Sequence, residues 1–426
     1  MKKTKLALAI ATAAMVSTPV LATNGDVLIG LGTQARAMGG TGTAAFFGSE
    51  NALTNPALLG KSQGSEFSIG GTAFMPNVEA EATTFGPGKM TSDNDMNIIP
   101  EVSMSTRIND NFTFGLGMFG SAGMGVDYRD SDQLLNGYSN LQLMKFAPTI
   151  AYNEANFGVG FSPVVQYGAL DINYKVDTNA NGSTSDPGDR NVGNGMSTDL
   201  GYGFNLGAYF DVSKDLTLAA SYQSAISMDY KDQISVASAT FTQANGGPLA
   251  SAFSDTLEQP AELKIGVAYT MDNIMLTADA KQIKWGDAKG YKEFNWEDQN
   301  VFALGAKYTG KDYWLGAGYN FGSDPISKIN DIKAPASLAE GAAAGTAQVV
   351  NLFNNHFFPG VVESHITFGG GYSLGKNTMI EGAVVYAPEV EKTVNTGYIS
   401  GLAYDGTTHT VTHSQLGYTV SVKMNF

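Results

Sequence analysis

The stretch "SQLGYTVSVKMNF", residues 414–426, decides the fold. Leu416, Tyr418, Val420, Val422, Met424 and Phe426 fall on one side of an extended chain, and Gln415, Thr419, Ser421, Lys423 and Asn425 on the other. Successive side chains of a strand point to opposite faces, so this is a strand with one apolar and one polar face.

Upstream, the same period of two recurs at Phe112, Phe114, Leu116 and Met118; at Tyr202, Phe204, Leu206, Ala208 and Phe210; at Leu263, Ile265, Val267 and Tyr269; and at Tyr313, Leu315, Ala317 and Tyr319. Fourteen such segments fall near 64–75, 97–109, 111–124, 141–153, 157–174, 199–212, 216–230, 259–271, 274–286, 299–309, 312–322, 363–374, 377–387 and 414–426. A soluble sandwich would turn its polar faces outward. Here the apolar faces carry the Tyr and Phe of an interfacial girdle, so the polar faces line a lumen. Tight turns at "INDN", "NEAN", "SKDL", "MDNI", "TGKD" and "LGKN" alternate with long polar links at 76–96, 125–140, 175–198, 231–258, 287–298, 323–362 and 388–413. Short turns on one side and long loops on the other belong to a transmembrane antiparallel β-barrel, and an even strand number fits a single chain. The closing Phe426 resembles the terminal aromatic read by the barrel assembly machinery of the outer membrane.

The amino-terminal end fits export. "MKKTKLALAIATAAMVSTPVLA", residues 1–22, has a basic start, an apolar run and a small-residue cleavage site, which is a secretory signal. The 426 residues hold no cysteine, which removes thiol catalysis and thiolate metal sites. The chain has 25 basic and 40 acidic residues, and loss of the leader's three lysines leaves 22 against 40, or −18. Nucleic acid is not an expected partner of so acidic a chain.

Several short motifs compete with this reading. Gly30, Gly32 and Ala35 spell a dinucleotide-binding turn, with Glu50 near the place of a ribose-binding acid. The helix that should follow is broken at Gly39-Gly40 and no second parallel strand comes after it, so a glycine-rich segment in a tight space is the better account. "GYSLG", residues 371–375, matches a nucleophile elbow, but Ser373 lies late in an alternating strand instead of at a strand-to-helix turn. Asp177, Asn179, Asn181 and Gly182 mimic a calcium loop whose twelfth position is Gly188 instead of a bidentate Glu. His356, His365, His409 and His413 lie in or beside external loops, where a metal-like spacing of the last two is incidental. No catalytic residue, metal or cofactor is expected. Glu101, Arg107, Lys145, Glu262, Lys264, Asp279, Lys281 and Glu381 face the lumen and carry both signs, as a mutually paired interior would.

Residues 23–63 are too irregular and glycine-rich for strands. A leader, then "GLGTQARAMGGTGTAAFFGSENALTNPALLG", then fourteen strands, resembles the FadL/TodX family of outer-membrane transporters for long-chain fatty acids and aromatic hydrocarbons. Arg36, Gly39, Gly40, Gly42 and Asn55-Pro56-Ala57 match that family's hatch, a plug inside the barrel; "NWEDQNVFALGAKY" and "FFPGVVESHITFGGGYSL" look like its later strands. The resemblance implies residues 1–22 as leader, 23–63 as hatch and 64–426 as barrel, in a monomer of the bacterial outer membrane. It implies passive uptake, with ligand caught by external loops and released sideways through a gap at a kinked third strand. "GMFGSAGMG", residues 117–125, is the candidate, because Gly120, Gly123 and Gly125 weaken ladder pairing.

Family members specialised for fatty acids hold the carboxylate with basic residues, for which Arg107, Lys145 and Lys264 are candidates here. An acidic chain does not steer an anion toward itself, which leaves neutral hydrocarbons open as ligands. The acidic loops instead fit divalent-cation bridges to lipopolysaccharide. The competing class is a water-filled porin or an adhesive barrel, and forty plugging residues argue against a free aqueous pore.

Overall fold

A computed structural model describes residues 23–83, 88–176, 184, 186, 188–243, 253–329, 347–396 and 408–426. The expected leader, and the calcium-loop residues Asp177, Asn179, Asn181 and Gly182, lie outside the described residues.

Fourteen strands form the wall. They are β1 (Ser65–Ala82), β2 (Asn97–Arg107), β3 (Phe112–Asp127), β4 (Tyr138–Asn153), β5 (Phe157–Val176), β6 (Ser197–Asp211) and β7 (Leu216–Gln223). After these come β8 (Glu262–Met271), β9 (Ile274–Ile283), β10 (Gln299–Thr309), β11 (Tyr313–Gly322), β12 (Ser364–Ser373), β13 (Thr378–Asn395) and β14 (Thr408–Asn425). Each pairs antiparallel with the next, and β14 returns to β1 through a register running from His409↔Ala82 to Asn425↔Glu66. The sheet closes with no free edge strand, so the backbone groups of the wall find partners within it wherever the ladders are continuous, as a structure surrounded by lipid requires.

The period of two has the predicted sense. Along β10, Phe302 and Leu304 are exposed on the outside, while Val301 and Ala303 are buried toward the lumen. The described residues contain no helix long and apolar enough to cross a membrane. Three strands are longer than the alternation indicates: β1 reaches Ala82, β13 reaches Asn395 and β14 begins at Thr408. The reason is an inversion of polarity. On β13 the outward side chains change from Val384 and Tyr386 to Glu389, Glu391 and Thr393 across a bulge between Ala387 and Val390. On β14 and β1 the change falls at Leu416 to Ser414 and at Met75 to Asn77, and these residues pair across the strands. Beyond this line the outside is water and the inside is packed, so the apolar face turns inward.

The seventh segment ends early, at Gln223 instead of residue 230. Ile226–Asp229 pairs with Thr256–Gln259 in a separate two-stranded flap. Ile226 and Met228 are buried and cannot line a wet lumen, so this apolar run folds over the barrel mouth.

Candidate functional site in the lumen

Residues 23–62 lie inside the wall, nearly all buried. The lower part, from Thr33 onward, is fixed by buried charge. Arg36 Nη1 donates to Glu101 Oε2 at 2.7 Å and to Thr72 Oγ1 at 2.8 Å. Lys423 Nζ lies 3.0 Å from Glu50 and 3.6 Å from Glu381. Burial, reinforced by the neighbouring Glu381 and Glu101 carboxylates, pushes Glu50 well above its ordinary range, against the pull of Lys423. The glycine turn and Glu50 are therefore neighbours, as a dinucleotide reading demands, but for another reason. Gly32 has φ +85° and a Cβ there would collide with the Glu50 carboxyl, whose partner is a wall lysine.

Close backbone approach fixes the rest. Gly39 N–H donates to Thr367 Oγ1 at 2.8 Å, and Asn320 Nδ2 donates to Gly39 O at 3.1 Å. A Cβ on wall residue Gly318 would strike the Met38–Gly39 peptide. Gly40, at φ +82°, folds the chain back so that its N–H reaches Ala35 O at 2.8 Å. Asn55 caps the short helix Pro56–Lys61 by accepting from Ala57 N–H at 3.1 Å, and its Nδ2 donates to Thr43 O at 2.7 Å and Ala208 O at 3.3 Å. Pro56 stands at the first helical position, where no N–H is needed. Wall residues Gly160 and Gly207 leave room for this turn, since a Cβ on either would strike Asn55, Pro56 or Ala57.

The upper part, residues 23–31, is held differently. Gly25 lies against Trp285 and Trp296, where a Cβ would come within 2.7 Å of one indole and 2.9 Å of the other. Tyr291 and Gln259 donate to the buried Asp26 carboxylate. Desolvation raises Asp26 to about 6 despite those donors. Trp285, Tyr291 and Trp296 meet in tilted and edge-to-face contacts with centroids 4.6 to 5.0 Å apart, and Phe294, Phe353 and Phe357 extend the cluster. The helix Ala347–Phe357 supplies the last two and closes the top. The four histidines, expected in or beside external loops, are all buried: His356 on this helix, His365 near the start of β12, and His409 and His413 on the outer part of β14. His356 Nδ1 faces His409 Nε2 at 3.2 Å, while His413 Nδ1 faces Pro359 O at 2.9 Å, so His409 and His413 serve different contacts.

The third strand changes character at Gly120. Its ladder with β2 runs from Arg107↔Thr113 to Glu101↔Phe119 and stops. The next link is Asp93 N–H to Asp127 O at 2.9 Å. With β4 the ladder continues through a bulge at Ser121. From Phe119 to Val126 every residue is buried, so alternation is lost. The amino-terminal segment reaches the freed backbone: Val27 pairs with Ala122, and Gly123 N–H donates to Asp26 O at 3.0 Å. Across the opening, Met96 and Ile98 remain exposed on the outer side.

Of the basic candidates, Arg107 is not in the lumen's centre. Its guanidinium is bonded to the carbonyls of Gly60, Ser62 and Asp110 at the turn side of the barrel, where it holds the end of the internal segment. Lys145 and Lys264 do converge, and Lys281 joins them. All three line one cavity of about 60 Å³ with Glu262, Asp279, Ser121, Asn320 and residues 27–31. Glu262 lies 3.0 Å from Lys264 and 4.0 Å from Lys281, and Asp279 accepts from Gly42 and Thr43 N–H groups. Lys145 is 4% exposed and has no ion-pair or hydrogen-bond partner among the described residues. A second, apolar cavity of about 20 Å³ lies among Met124, Leu141, Tyr291, Phe294, Trp296 and Phe358. Ser373 simply ends β12, its N–H bonded to Asp312 O beside the turn.

A family model described as "Outer membrane protein transport protein (OMPP1/FadL/TodX)" matches residues 14–351. The chain belongs to the FadL/TodX family of outer-membrane transport proteins. FadL/TodX proteins are transporters, not enzymes, and this one is an outer-membrane barrel for hydrophobic compounds. The long-chain fatty acid transport protein of Salmonella typhi is 26% identical over 344 residues, 71% of this chain and 78% of the relative. That of Escherichia coli strain K12 is 24% identical over 352 residues, with the same coverage. In structure, the chain is similar to the Pseudomonas putida toluene transporter TodX, with TM-score 0.66, 18% identity, and 93% and 99% of the two chains covered. It is also similar to a Pseudomonas aeruginosa FadL homologue, with TM-score 0.68, 14% identity, and 94% and 100% covered.

Proposed function

We propose that this FadL/TodX protein carries a long-chain fatty acid, an anionic single-chain amphiphile, passively across the outer membrane. The observation that carries this reading is Lys145, a buried cation left without a partner in a cavity with two more lysines. A buried charge is normally paired, and removing it from water without compensation is costly. A carboxylate head group supplies the missing partner. The net charge, −15 for the whole chain, does not oppose this, because the field inside the lumen is set by the groups that line it. The relatives named as long-chain fatty acid transport proteins favour the same ligand.

In this reading residues 23–63 are a plug, the aromatic cap is the first station, and release is lateral, through the opening between β2 and β3 beside Gly120, Gly123 and Gly125. Neither cavity holds an alkyl chain as it stands, since an engineered pocket that admits benzene measures roughly 150 Å³. Residues 26–28 lie between the two cavities and must move. A neutral aromatic hydrocarbon is the second reading, favoured by the apolar cavity among Tyr291, Phe294 and Trp296. Retention of oleate and of toluene by purified wild-type and Lys145→Met protein separates them. Loss of oleate alone is the expected result; equal effects on both, or none, defeats the fatty-acid reading. Large steady conductance to small ions in planar bilayers defeats the transporter reading in favour of a porin.

A further inference from the structure

We propose that Lys145 tethers the head group while the hydrocarbon chain leaves first, so that release through the wall is tail-first. This rests on the fatty-acid reading above and adds an orientation and an order of events to it.

The register fixes the geometry. Lys145 stands directly opposite Phe119 across the β3–β4 ladder, and Phe119 is the last residue of β3 paired to β2. Lys145 therefore marks the lower lip of the opening. Ser121, the bulged residue two positions beyond Phe119, lines the same cavity and has a buried hydroxyl without a partner. Met124, at the far end of the opening, lines the apolar cavity together with Leu141, its partner on β4. Five steps along the strand lead from Phe119 to Met124, or roughly 16 Å at about 3.3 Å per residue. A polar anchor, an interrupted wall and an apolar pocket thus follow one another along the β3–β4 pair. A fatty acid with its carboxylate on Lys145 has its chain alongside residues 120–124, ending among Met124, Phe294 and Phe358.

Two ways out are then available. Leaving head-first strips the carboxylate from Lys145 and drags it bare into hydrocarbon while the chain is still in the cap, which is the most unfavourable place for an unpaired anion. Leaving tail-first keeps the ion pair until the chain lies in lipid, beside the exposed Ile98 and Met96. Each methylene kept out of water on that route preserves roughly a fourfold advantage in equilibrium. Ser121 offers the departing carboxylate a donor on its way past the bulge. The charged groups facing Lys145 are Glu262, Lys264, Lys281 and Asp26. Glu262 already engages the other two lysines, which leaves Lys145 as the tether.

Two palmitic acid analogues test this, one with a diazirine next to the carboxyl group and one with it at the chain end, each loaded on the full-length protein in outer-membrane lipid vesicles. Irradiation before release is expected to place the carboxyl-proximal label on peptides containing Ser121 or Lys145, and the chain-end label on Met124, Leu141, Phe294 or Phe358. During release, the chain-end label is expected to move to Met96, Ile98 and lipid before the other leaves Ser121. The opposite placement or order overturns the proposal while leaving the fatty-acid reading intact. Labelling of neither set overturns both. Lys145→Met, shown to be folded by its heat-modifiable gel mobility, is expected to lose retention of palmitate at least tenfold while holding hexadecanol as wild type does. Lys145→Arg restores palmitate if the role is positional charge, and failure of that rescue counts against the tether.

Discussion

The two halves of the internal segment are held by different forces. From Arg36 to Lys61 the chain is clamped by buried ion pairs and by direct contact of its backbone with wall residues that lack side chains. From Thr23 to Leu31 it is held by an indole pair, one buried carboxylate and two contacts with a strand that has lost its other neighbour. Ion pairs and backbone fits have one good arrangement. Contacts with a broken strand have two, because β3 can exchange a plug residue for water, ligand or β2. The lower half is therefore built to stay and the upper half to move, although they are consecutive in sequence.

The largest effect expected from breaking this contrast is in the lower half. Arg36→Met leaves Glu101 buried without its cation, at about 3–5 kcal/mol. Hydrogen exchange is expected to rise throughout residues 33–62 while the barrel's heat-modifiable mobility is retained. If protection falls only in residues 23–31, the two halves are not distinct.

The upper half is expected to respond to pH. Asp26 is raised from 3.8 to about 6, so the folded arrangement favours its neutral form. The stabilisation is fully present below pH 3.8 and is lost as pH rises through about 6. Its full size is up to about 3 kcal/mol, at 1.36 kcal/mol per unit. Exchange in residues 24–29, corrected for intrinsic rate, is expected to be slower at pH 4 than at pH 7.5, and Asp26→Asn is expected to flatten the difference. No change with pH in wild type excludes Asp26 as the controlling group.

Gly25→Ala places a methyl group against two indoles at φ +67° and is expected to cost about 1–3 kcal/mol of seating. Tryptophan emission is expected to shift to the red as Trp285 and Trp296 gain water, with residues 33–62 unchanged. The smallest effect is at the turn. Asn55→Ala removes a cap and leaves Thr43 O short of a donor, at about 1–2 kcal/mol. Raised exchange at residues 43 and 55–58 with an intact barrel checks it, and joint replacement of Asn55 and Pro56 with unchanged uptake would remove any gating role for that turn.

Strand number and lumen polarity were legible because a wall between lipid and water forces one period on every strand. Where that constraint ends, so did legibility. Past Tyr386, Leu416 and Met75 the outside is water, and the strand ends could not be found from an apolar outer face. Lys281 shows a signal that was present but not drawn. The tight turn "MDNI" sets Met271 opposite Ile274, and counting outward from it sets Lys264 opposite Lys281. Like charges directly across a ladder are unfavourable, so such a pair points to a third group between or beyond them. Lys145 is different, because a long loop separates β3 from β4 and only tertiary folding brings it to the others. The aromatic cap was equally hidden. Tyr291, Trp296 and Phe353 come from two long links whose composition reads simply as polar loop, and Trp285 from the end of a segment that alternates as a strand.

The inversion of polarity on β13, β14 and β1 also sets where solutes shed their water. On β14 the outward apolar run from Leu416 to Phe426 covers ten steps, about 33 Å along the strand at roughly 3.3 Å per residue and about 25 Å of membrane at the usual tilt. Thr408 to His413 then stand clear of the hydrocarbon, alongside the buried helix Ala347–Phe357. On the proposed route, dehydration of a greasy solute falls in a dry turret projecting through the hydrated head-group layer. Ordinary diffusion resists that layer more than the oil beneath it. On that route the solute has left water before it reaches the hydrocarbon, and its greater solubility there favours the descent.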